Sequence, residues 1–128
     1  MSLFKNIFGS TNESENSSIM LWTLLTDLGQ LNEIIDLSTT KPVLIFKHST
    51  RCSISRMSLK QFENEFDLDE KVTPYYLDLL ENRNISNEIA TKFNVEHQSP
   101  QLILIKEGVA VYNVSHSDIQ VDDLRIKL

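Results

Sequence analysis

Apolar and polar residues along this chain follow two spacings, one typical of helices and one typical of strands. Apolar positions recur every three or four residues in three segments, which predict amphipathic helices at 27–37, 53–66 and 85–93. Other apolar runs predict strands at 43–46, 72–80, 102–105 and 109–114, and a short apolar stretch at 20–22 precedes the first helix. A last short helix is expected near the end of the chain, with Ser117 or Asp118 as the residue that caps its start.

The order of these elements predicts the fold class. Strands that alternate with helices are joined by parallel crossovers, whereas only Lys106, Glu107 and Gly108 separate the last two strands, which must form an antiparallel hairpin. The expected architecture is α/β, a mixed sheet of about five strands flanked by about four helices in the order β-α-β-α-β-α-β-β-α. This order is that of the thioredoxin-like fold.

The first residues differ in composition from the rest of the chain. Residues 9–18 read GSTNESENSS, a polar run with too few apolar side chains to form a core. A chain of 128 residues is long enough for one core but hardly for two. We therefore expect a flexible N-terminal arm over 1–18 and one thioredoxin-like domain over 19–128.

Composition narrows the classes of partner and compartment. The net charge is -6, and no block of like charges suggests a nucleic-acid tail or a membrane anchor. No apolar stretch has the length of a signal peptide or a membrane span. The single cysteine, Cys52, cannot form an internal disulfide, which favours a reducing compartment. We expect a cytoplasmic protein that binds neither nucleic acid nor membrane, with a monomer as the default oligomeric state.

Cys52 lies at the junction between a buried strand and the next helix. The unpaired N–H groups and the positive dipole end of a helix start stabilise a thiolate, which is the nucleophile of disulfide exchange. Between residues 47 and 60 the chain carries four basic residues and no acidic one: Lys47, Arg51, Arg56 and Lys60. This charge favours the thiolate further and suits an anionic substrate. The alternative is an unreactive buried cysteine, the commoner role of an isolated one.

Ser55 stands three residues after Cys52, where a dithiol enzyme carries its second cysteine. A hydroxyl can hydrogen-bond a thiolate but cannot form a disulfide with it, so an outside thiol must resolve any mixed disulfide. The sequence therefore predicts a one-thiol mechanism, with the alternative that Ser55 only serves the helix start.

The histidines offer no metal site. His48 can be read as a proton carrier near the thiol or as a hydrogen-bonded residue of the core. His97 and His116 have no partner at metal-ligand spacing, and the chain has one cysteine. We therefore expect no bound metal.

Three segments of the chain resemble one family. They are 46–55 (FKHSTRCSIS), 76–78 (YLD) and 95–101 (VEHQSPQ), and they are similar to the monothiol bacilliredoxins of the YtxJ type, thioredoxin-like proteins of bacillithiol-using bacteria. The resemblance extends from about Met20 to the last residue. That family usually carries Cys-Pro-Ile-Ser, so Ser53 departs from its pattern. Loss of the proline should loosen the first helical turn without removing the nucleophile.

The resemblance implies a reaction. Cys52 would attack the mixed disulfide between a protein and bacillithiol, take over the bacillithiol and free the protein thiol, after which a second thiol would restore Cys52. Pro100 would be the cis proline that, with Ser99, presents backbone to the bound substrate. Bacillithiol is then a co-substrate, and no cofactor remains bound.

Bacillithiol also carries a malate group. We expect Arg51, Arg56 or Lys47 to bind its two carboxylates, because basic side chains form strong hydrogen bonds with carboxylates.

Two functions of other classes stay open from the sequence. In one, the fold is a peptide-binding adaptor and Cys52 is incidental, and a slow, ordinary alkylation of this thiol would support that view. In the other, one cysteine per chain binds an iron–sulfur cluster together with a small thiol, as in monothiol glutaredoxins. Those proteins carry Cys-Gly-Phe-Ser, and this chain lacks both the glycine and the aromatic residue.

Overall fold

The computed structural model describes residues 20–128, and these residues form the predicted succession of strands and helices. The elements are β1 (Thr23–Leu24), α1 (Gly29–Leu37), β2 (Val43–His48), α2 (Ser53–Glu65), β3 (Thr73–Asp78), α3 (Arg83–Lys92), β4 (Gln101–Lys106), β5 (Val109–Ser115), a 3₁₀ turn (His116–Asp118) and α4 (Val121–Lys127). The arm expected over 1–18 lies outside the described residues.

The sheet is mixed, with strand order β1-β3-β2-β4-β5. β3 pairs in parallel with both β1 and β2. Along the chain, α1 forms the crossover from β1 to β2, and α2 forms the crossover from β2 to β3. β4 pairs antiparallel with β2 and with β5, and the last of these pairs is the predicted hairpin. The α/β, thioredoxin-like architecture predicted from the sequence is confirmed.

β2 lies in the middle of the sheet and is buried along its whole length. Alternate residues of a strand face opposite sides of the sheet. Val43 and Ile45 join the apolar cluster formed with α1 and α3, whereas Leu44 and Phe46 join the cluster formed with α2 and α4. The continuous apolar run in the sequence is thus explained by helices on both faces.

Three helix starts differ from the predicted ones. α3 begins at Arg83 and not at Ile85, because its first residues are polar and lie outside the apolar spacing. α1 begins at Gly29 because the side-chain carbonyl of Gln30 accepts the N–H groups of Thr26 and Asp27 and holds the chain in a turn there. The expectation that Ser117 or Asp118 caps the last helix is wrong.

Those two residues belong instead to the 3₁₀ turn, and α4 begins at Val121. The turn follows from the left-handed backbone of His116, at φ 59°, and closes with the N–H of Ile119 donating to the His116 carbonyl. Ile119 is buried in extended backbone, so the chain cannot continue as one helix from 117 onward.

Candidate active site at the start of the second helix

Cys52 immediately precedes α2 and is partly exposed. Its backbone is extended, at φ -101° and ψ 123°, and its carbonyl already accepts the first helical hydrogen bond, from the N–H of Arg56 at 3.0 Å. Its own N–H donates to the Ser49 carbonyl at 3.2 Å, which closes the short turn after β2. Cys52 thus lies at a helix start, where backbone N–H groups are unpaired, and the residue is partly exposed.

Ser55 is wholly buried in the first turn of α2. Its Oγ accepts a hydrogen bond from the Ser49 N–H at 3.0 Å and lies 2.8 Å from Nδ1 of His48. Through these two contacts, the Ser55 side chain links the first turn of α2 to the last residue of β2 and to the residue that follows it. The position three residues after the cysteine is thus occupied by a fixed hydroxyl.

His48, the last residue of β2, is buried beside Ser55. Its ring packs against Tyr76 of β3, with 5.7 Å between the ring centroids. Burial lowers the pKa of His48, while the nearby Asp78 carboxylate raises it and the Arg56 guanidinium lowers it again. The His48 imidazole therefore lies in the interior of the protein, in contact with the first turn of α2.

Lys47 does not face solvent, in contrast to what its place in a basic segment suggests. Its side chain is 1% exposed, and its Nζ lies 2.7 Å from Nδ1 of His97 and 3.0 Å from Oε1 of Gln101. Burial lowers the pKa of Lys47 to about 8. With its amine directed to these two partners, Lys47 adds nothing to the exposed charge around Cys52, and a direct contact with a substrate carboxylate gains no support from this placement.

The loop that precedes β4 lies next to the Cys52 turn, because Lys47 of β2 and Gln101 of β4 are paired across the sheet. The buried Gln101 side chain holds this loop: its Oε1 accepts the Gln98 N–H at 3.3 Å, and its Nε2 donates to the Glu96 carbonyl at 2.9 Å. The Ser99-Pro100 peptide bond is cis.

Ser99 has an unusual hydroxyl. Within residues 20–128, its Oγ is the one buried side-chain nitrogen or oxygen that has no hydrogen-bond partner. Buried polar groups are nearly always paired, so the Ser99 Oγ is an exception among the buried side chains of residues 20–128.

Two exposed arginines lie close to Cys52 in the chain, Arg51 and Arg56. Arg51 shares a polar cavity of about 270 Å³ with Arg83, and Thr50, Leu80 and Glu81 complete its lining. Arg56 lies on α2 and donates to the Thr50 carbonyl at 3.1 Å. Arg83 was not predicted as a site residue, because it begins α3 and shares this cavity with Arg51 only through the fold.

Metal ligands do not converge at this site. In the part of the chain that the structure describes, no group of three or more His, Cys, Asp or Glu side chains is arranged to hold a metal ion. Over the same 20–128 stretch, no helix combines the length and apolar character needed to cross a membrane.

Comparison with known proteins identifies the family of this chain. The family model described as monothiol bacilliredoxin BrxC matches residues 23–124. The chain belongs to the monothiol bacilliredoxin family. It is therefore a thiol-disulfide oxidoreductase, in agreement with the prediction from the sequence.

Solved structures agree with this family. A protein described as an oxidoreductase with a thioredoxin fold is 36% identical, with a TM-score of 0.69 over 80% of this chain and 89% of that one. Malassezia sympodialis thioredoxin is 21% identical, with a TM-score of 0.63 over 81% of this chain and 84% of its own. Mitochondrial thioredoxin 3 of Saccharomyces cerevisiae is 20% identical, with a TM-score of 0.62 over 83% and 93%. The two thioredoxins show the fold alone.

Proposed function

We propose that this bacilliredoxin removes bacillithiol from S-bacillithiolated proteins through Cys52. The observation that carries the proposal is the partly exposed Cys52 at the start of α2, with the buried hydroxyl of Ser55 where a resolving thiol would stand. Membership of the bacilliredoxin family supports bacillithiol as the small thiol.

The reaction has two exchange steps. The Cys52 thiolate attacks the bacillithiol sulfur of the mixed disulfide, so a bond between Cys52 and bacillithiol forms while the protein–bacillithiol bond breaks. The protein sulfur leaves as a thiolate and takes a proton from water. A second thiolate from solution then attacks the bacillithiol sulfur and releases Cys52 as a thiolate. Bacillithiol is a co-substrate throughout, and the electrons come from the second thiol.

Ser99 and Pro100 are proposed as the protein-substrate side of the site. The loop that carries them is held beside the Cys52 turn by Gln101, and within residues 20–128 the Ser99 Oγ is the buried side-chain atom without a hydrogen-bond partner. We take the monomer as the working state and the cytoplasm as the compartment, because a chain with a single reduced cysteine suits a reducing environment.

Arginines are proposed to bind the malate carboxylates of bacillithiol. Arg51 and Arg83 line one cavity with Thr50, and Arg56 donates to the Thr50 carbonyl. Guanidinium groups bind carboxylates in a two-point geometry, which suits a dicarboxylate. Glu81 lines the same cavity and opposes an anion there.

The direct test is the release of bacillithiol from a bacillithiolated model protein, followed by intact-mass analysis with a reducing thiol present. The wild type should catalyse release, and Cys52→Ala should leave the substrate at its uncatalysed rate. Equal rates with the two proteins would refute the proposed activity.

A second comparison tests the carboxylate contacts. Arg51→Gln, Arg83→Gln and Arg56→Gln should each slow reaction with bacillithiol disulfide about tenfold, because a hydrogen bond to a charged group contributes about 1.5–3 kcal/mol. Reaction with hydroxyethyl disulfide, which is uncharged, should change little. Glu81→Gln is the matched control and should act in the opposite direction. Equal losses with both disulfides would reject this role for the arginines.

A further inference from the structure

The buried Lys47 amine limits what the ring of His97 can do. The Lys47 Nζ lies 3.0 Å from Oε1 of Gln101, which is an acceptor, so the amine donates one hydrogen there. Its second contact, 2.7 Å away, is Nδ1 of His97. The pKa of Lys47 is about 8, so the amine is charged near pH 7, and an ammonium group has no lone pair to accept with. Nδ1 of His97 must therefore be the acceptor of this hydrogen bond.

A second side chain is compatible with the same direction. Ser86 of α3 is buried, and its Oγ lies 3.4 Å from the same ring nitrogen. The hydroxyl can donate to this nitrogen as the amine does. A ring nitrogen that accepts a hydrogen bond carries no hydrogen itself, so the hydrogen of the neutral His97 ring is on Nε2.

The charges around His97 keep its ring neutral near pH 7. Partial burial lowers the pKa of His97, and the positive charges of Lys47 on β2 and Arg83 on α3 lower it further. A proton on Nδ1 would also remove an acceptor from the Lys47 ammonium group and bring two positive groups within 2.7 Å of each other. The ring is therefore neutral, with one nitrogen directed to a buried donor.

The other ring nitrogen has no such partner. His97 is exposed, and within residues 20–128 its side-chain hydrogen bonds all use Nδ1. It stands two residues before Ser99, in the loop that the Gln101 side chain holds through the Gln98 N–H and the Glu96 carbonyl. The Nε2–H is thus a free donor on an exposed side chain of the loop that leads to the cis peptide bond.

We propose that Lys47 is a positioning residue that fixes His97 in the neutral form with hydrogen on Nε2, so that this loop offers an N–H donor to an acceptor oxygen of the bacillithiolated protein. The inference rests on the proposed function, in which Ser99 and Pro100 form the protein-substrate side of the site. It goes further by giving His97 a binding role. A charged donor sets the direction of its hydrogen bond, whereas a hydroxyl in the same place would leave both directions open.

The first experiment is nitrogen NMR of the histidine rings in the reduced, full-length protein near pH 7. His97 should show an unprotonated-type shift at Nδ1 and a protonated-type shift at Nε2, at the values of a single form. In Lys47→Met the two shifts should move toward each other, because the ring then samples both neutral forms. The pKa of His97 should rise in this variant, because a nearby positive charge is gone.

Lys60→Met, which removes an exposed amine, is the matched control and should leave the His97 ring unchanged. A protonated Nδ1 in the wild type would overturn the inference, because Lys47 could not then donate to it. Ring shifts that Lys47→Met leaves unchanged would overturn it as well.

The second experiment measures KM and kcat for release of bacillithiol from a bacillithiolated model protein. His97→Phe has no donor and should raise KM about two- to tenfold, the contribution of one neutral hydrogen bond, with little change in kcat. Lys47→Met should raise KM by a smaller factor, because the freed ring still presents the Nε2–H part of the time. His97→Gln, whose amide has both an acceptor for Lys47 and a donor, should stay near the wild type. An unchanged KM in His97→Phe would overturn the inference.

Hydroxyethyl disulfide, which has no protein part, separates substrate binding from a general structural effect. Its reaction with Cys52 should be equally fast in the wild type and in His97→Phe. A similar loss with this small disulfide would mean that the substitution disturbs the whole site, and it would overturn the inference. A wild type that releases no bacillithiol would refute the proposed function, whereas the NMR experiment judges the Lys47–His97 pair without bacillithiol.

Discussion

Lys47 and His48 are consecutive residues at the end of β2, yet their side chains hold two different parts of the site. We call these parts the Lys47 wall (Lys47, His97 and Gln101) and the His48 wall (His48, Ser55 and Tyr76). The side chains of Lys47 and His48 are 1% and 3% exposed and point to opposite faces of the sheet. Lys47 binds His97 and Gln101 and so holds the loop with Ser99-Pro100. On the other face, His48 contacts the side chain that fixes the start of α2.

The two walls are stabilised by different kinds of interaction. Lys47 brings an amine into the interior with neutral partners, and its pKa of about 8 shows that burial disfavours the charged form. His48 uses one short hydrogen bond between neutral groups and aromatic packing against Tyr76. The Lys47 wall should therefore depend on pH and on every one of its partners, whereas the His48 wall should depend mainly on Ser55.

The largest effect is expected at the Lys47 wall when Gln101 is replaced by leucine. This change removes an acceptor from a buried amine and leaves the Glu96 carbonyl and the Gln98 N–H without their side-chain partner. We expect a loss of about 3 kcal/mol in the free energy of unfolding, since an unpaired buried group such as the Lys47 amine costs about 1–3 kcal/mol and two partly buried backbone groups also lose their partner. Urea denaturation measures it.

The matched control is Gln61→Leu on the exposed side of α2, where substitutions usually change stability by less than about 0.5 kcal/mol. Similar losses for the two variants would mean that Gln101 does not hold the loop.

At the His48 wall, Ser55→Ala should cost less. The variant leaves the Ser49 N–H and His48 Nδ1 without a partner, which predicts a loss of about 1–3 kcal/mol in urea denaturation. Ser53→Ala, two residues earlier and exposed, is the control for replacing a serine in the first turn. If both variants unfold at the same urea concentration, the Ser55 hydroxyl does not anchor α2.

Lys47→Met distinguishes the two walls by pH. Between pH 8 and 10.5 the folded chain has released the Lys47 proton while the unfolded chain keeps it, so wild-type stability rises with pH in that window. Methionine has no such proton, and replacing a buried charge with an apolar residue is often neutral or stabilising near pH 7.

The stability of the variant relative to the wild type should therefore fall as pH rises from about 8 to 10.5. Denaturation series at several pH values measure this difference, with Lys60→Met as the control for losing an exposed amine. A constant difference across the window would contradict the burial of a titrating Lys47.

The smallest effect is expected for Arg56→Gln. Its hydrogen bond to the Thr50 carbonyl is exposed, so stability should change by less than about 1 kcal/mol. The guanidinium also lowers the pKa of His48, and its removal should raise that pKa slightly in an NMR titration of the ring. A downward shift would show that Arg56 does not act on His48.

Local patterns predicted most of this architecture. Three predictions depended only on neighbours in sequence, and all were confirmed: the strand from the apolar run ending at Phe46, the helix from the spacing after Cys52, and the hairpin from the short gap between the last two strands. The cis bond at Ser99-Pro100, which the family resemblance implied, is present.

Features that depend on distant partners were not predicted. A lysine in a basic segment gives no sign of burial, and Lys47 is buried because His97 and Gln101, from another part of the chain, reach its amine. Arg83 likewise meets Arg51 only where α3 begins next to the Cys52 turn. The spacing of apolar residues along the chain carries no information about contacts between residues that are distant in sequence.

The central claim is that Cys52 exchanges with bacillithiol disulfides. Intact-mass analysis after exposure to oxidised bacillithiol and, separately, to oxidised glutathione tests it most directly. The expected result is one bacillithiol adduct on the wild type and none on Cys52→Ala. An adduct with glutathione but not with bacillithiol would contradict the claim.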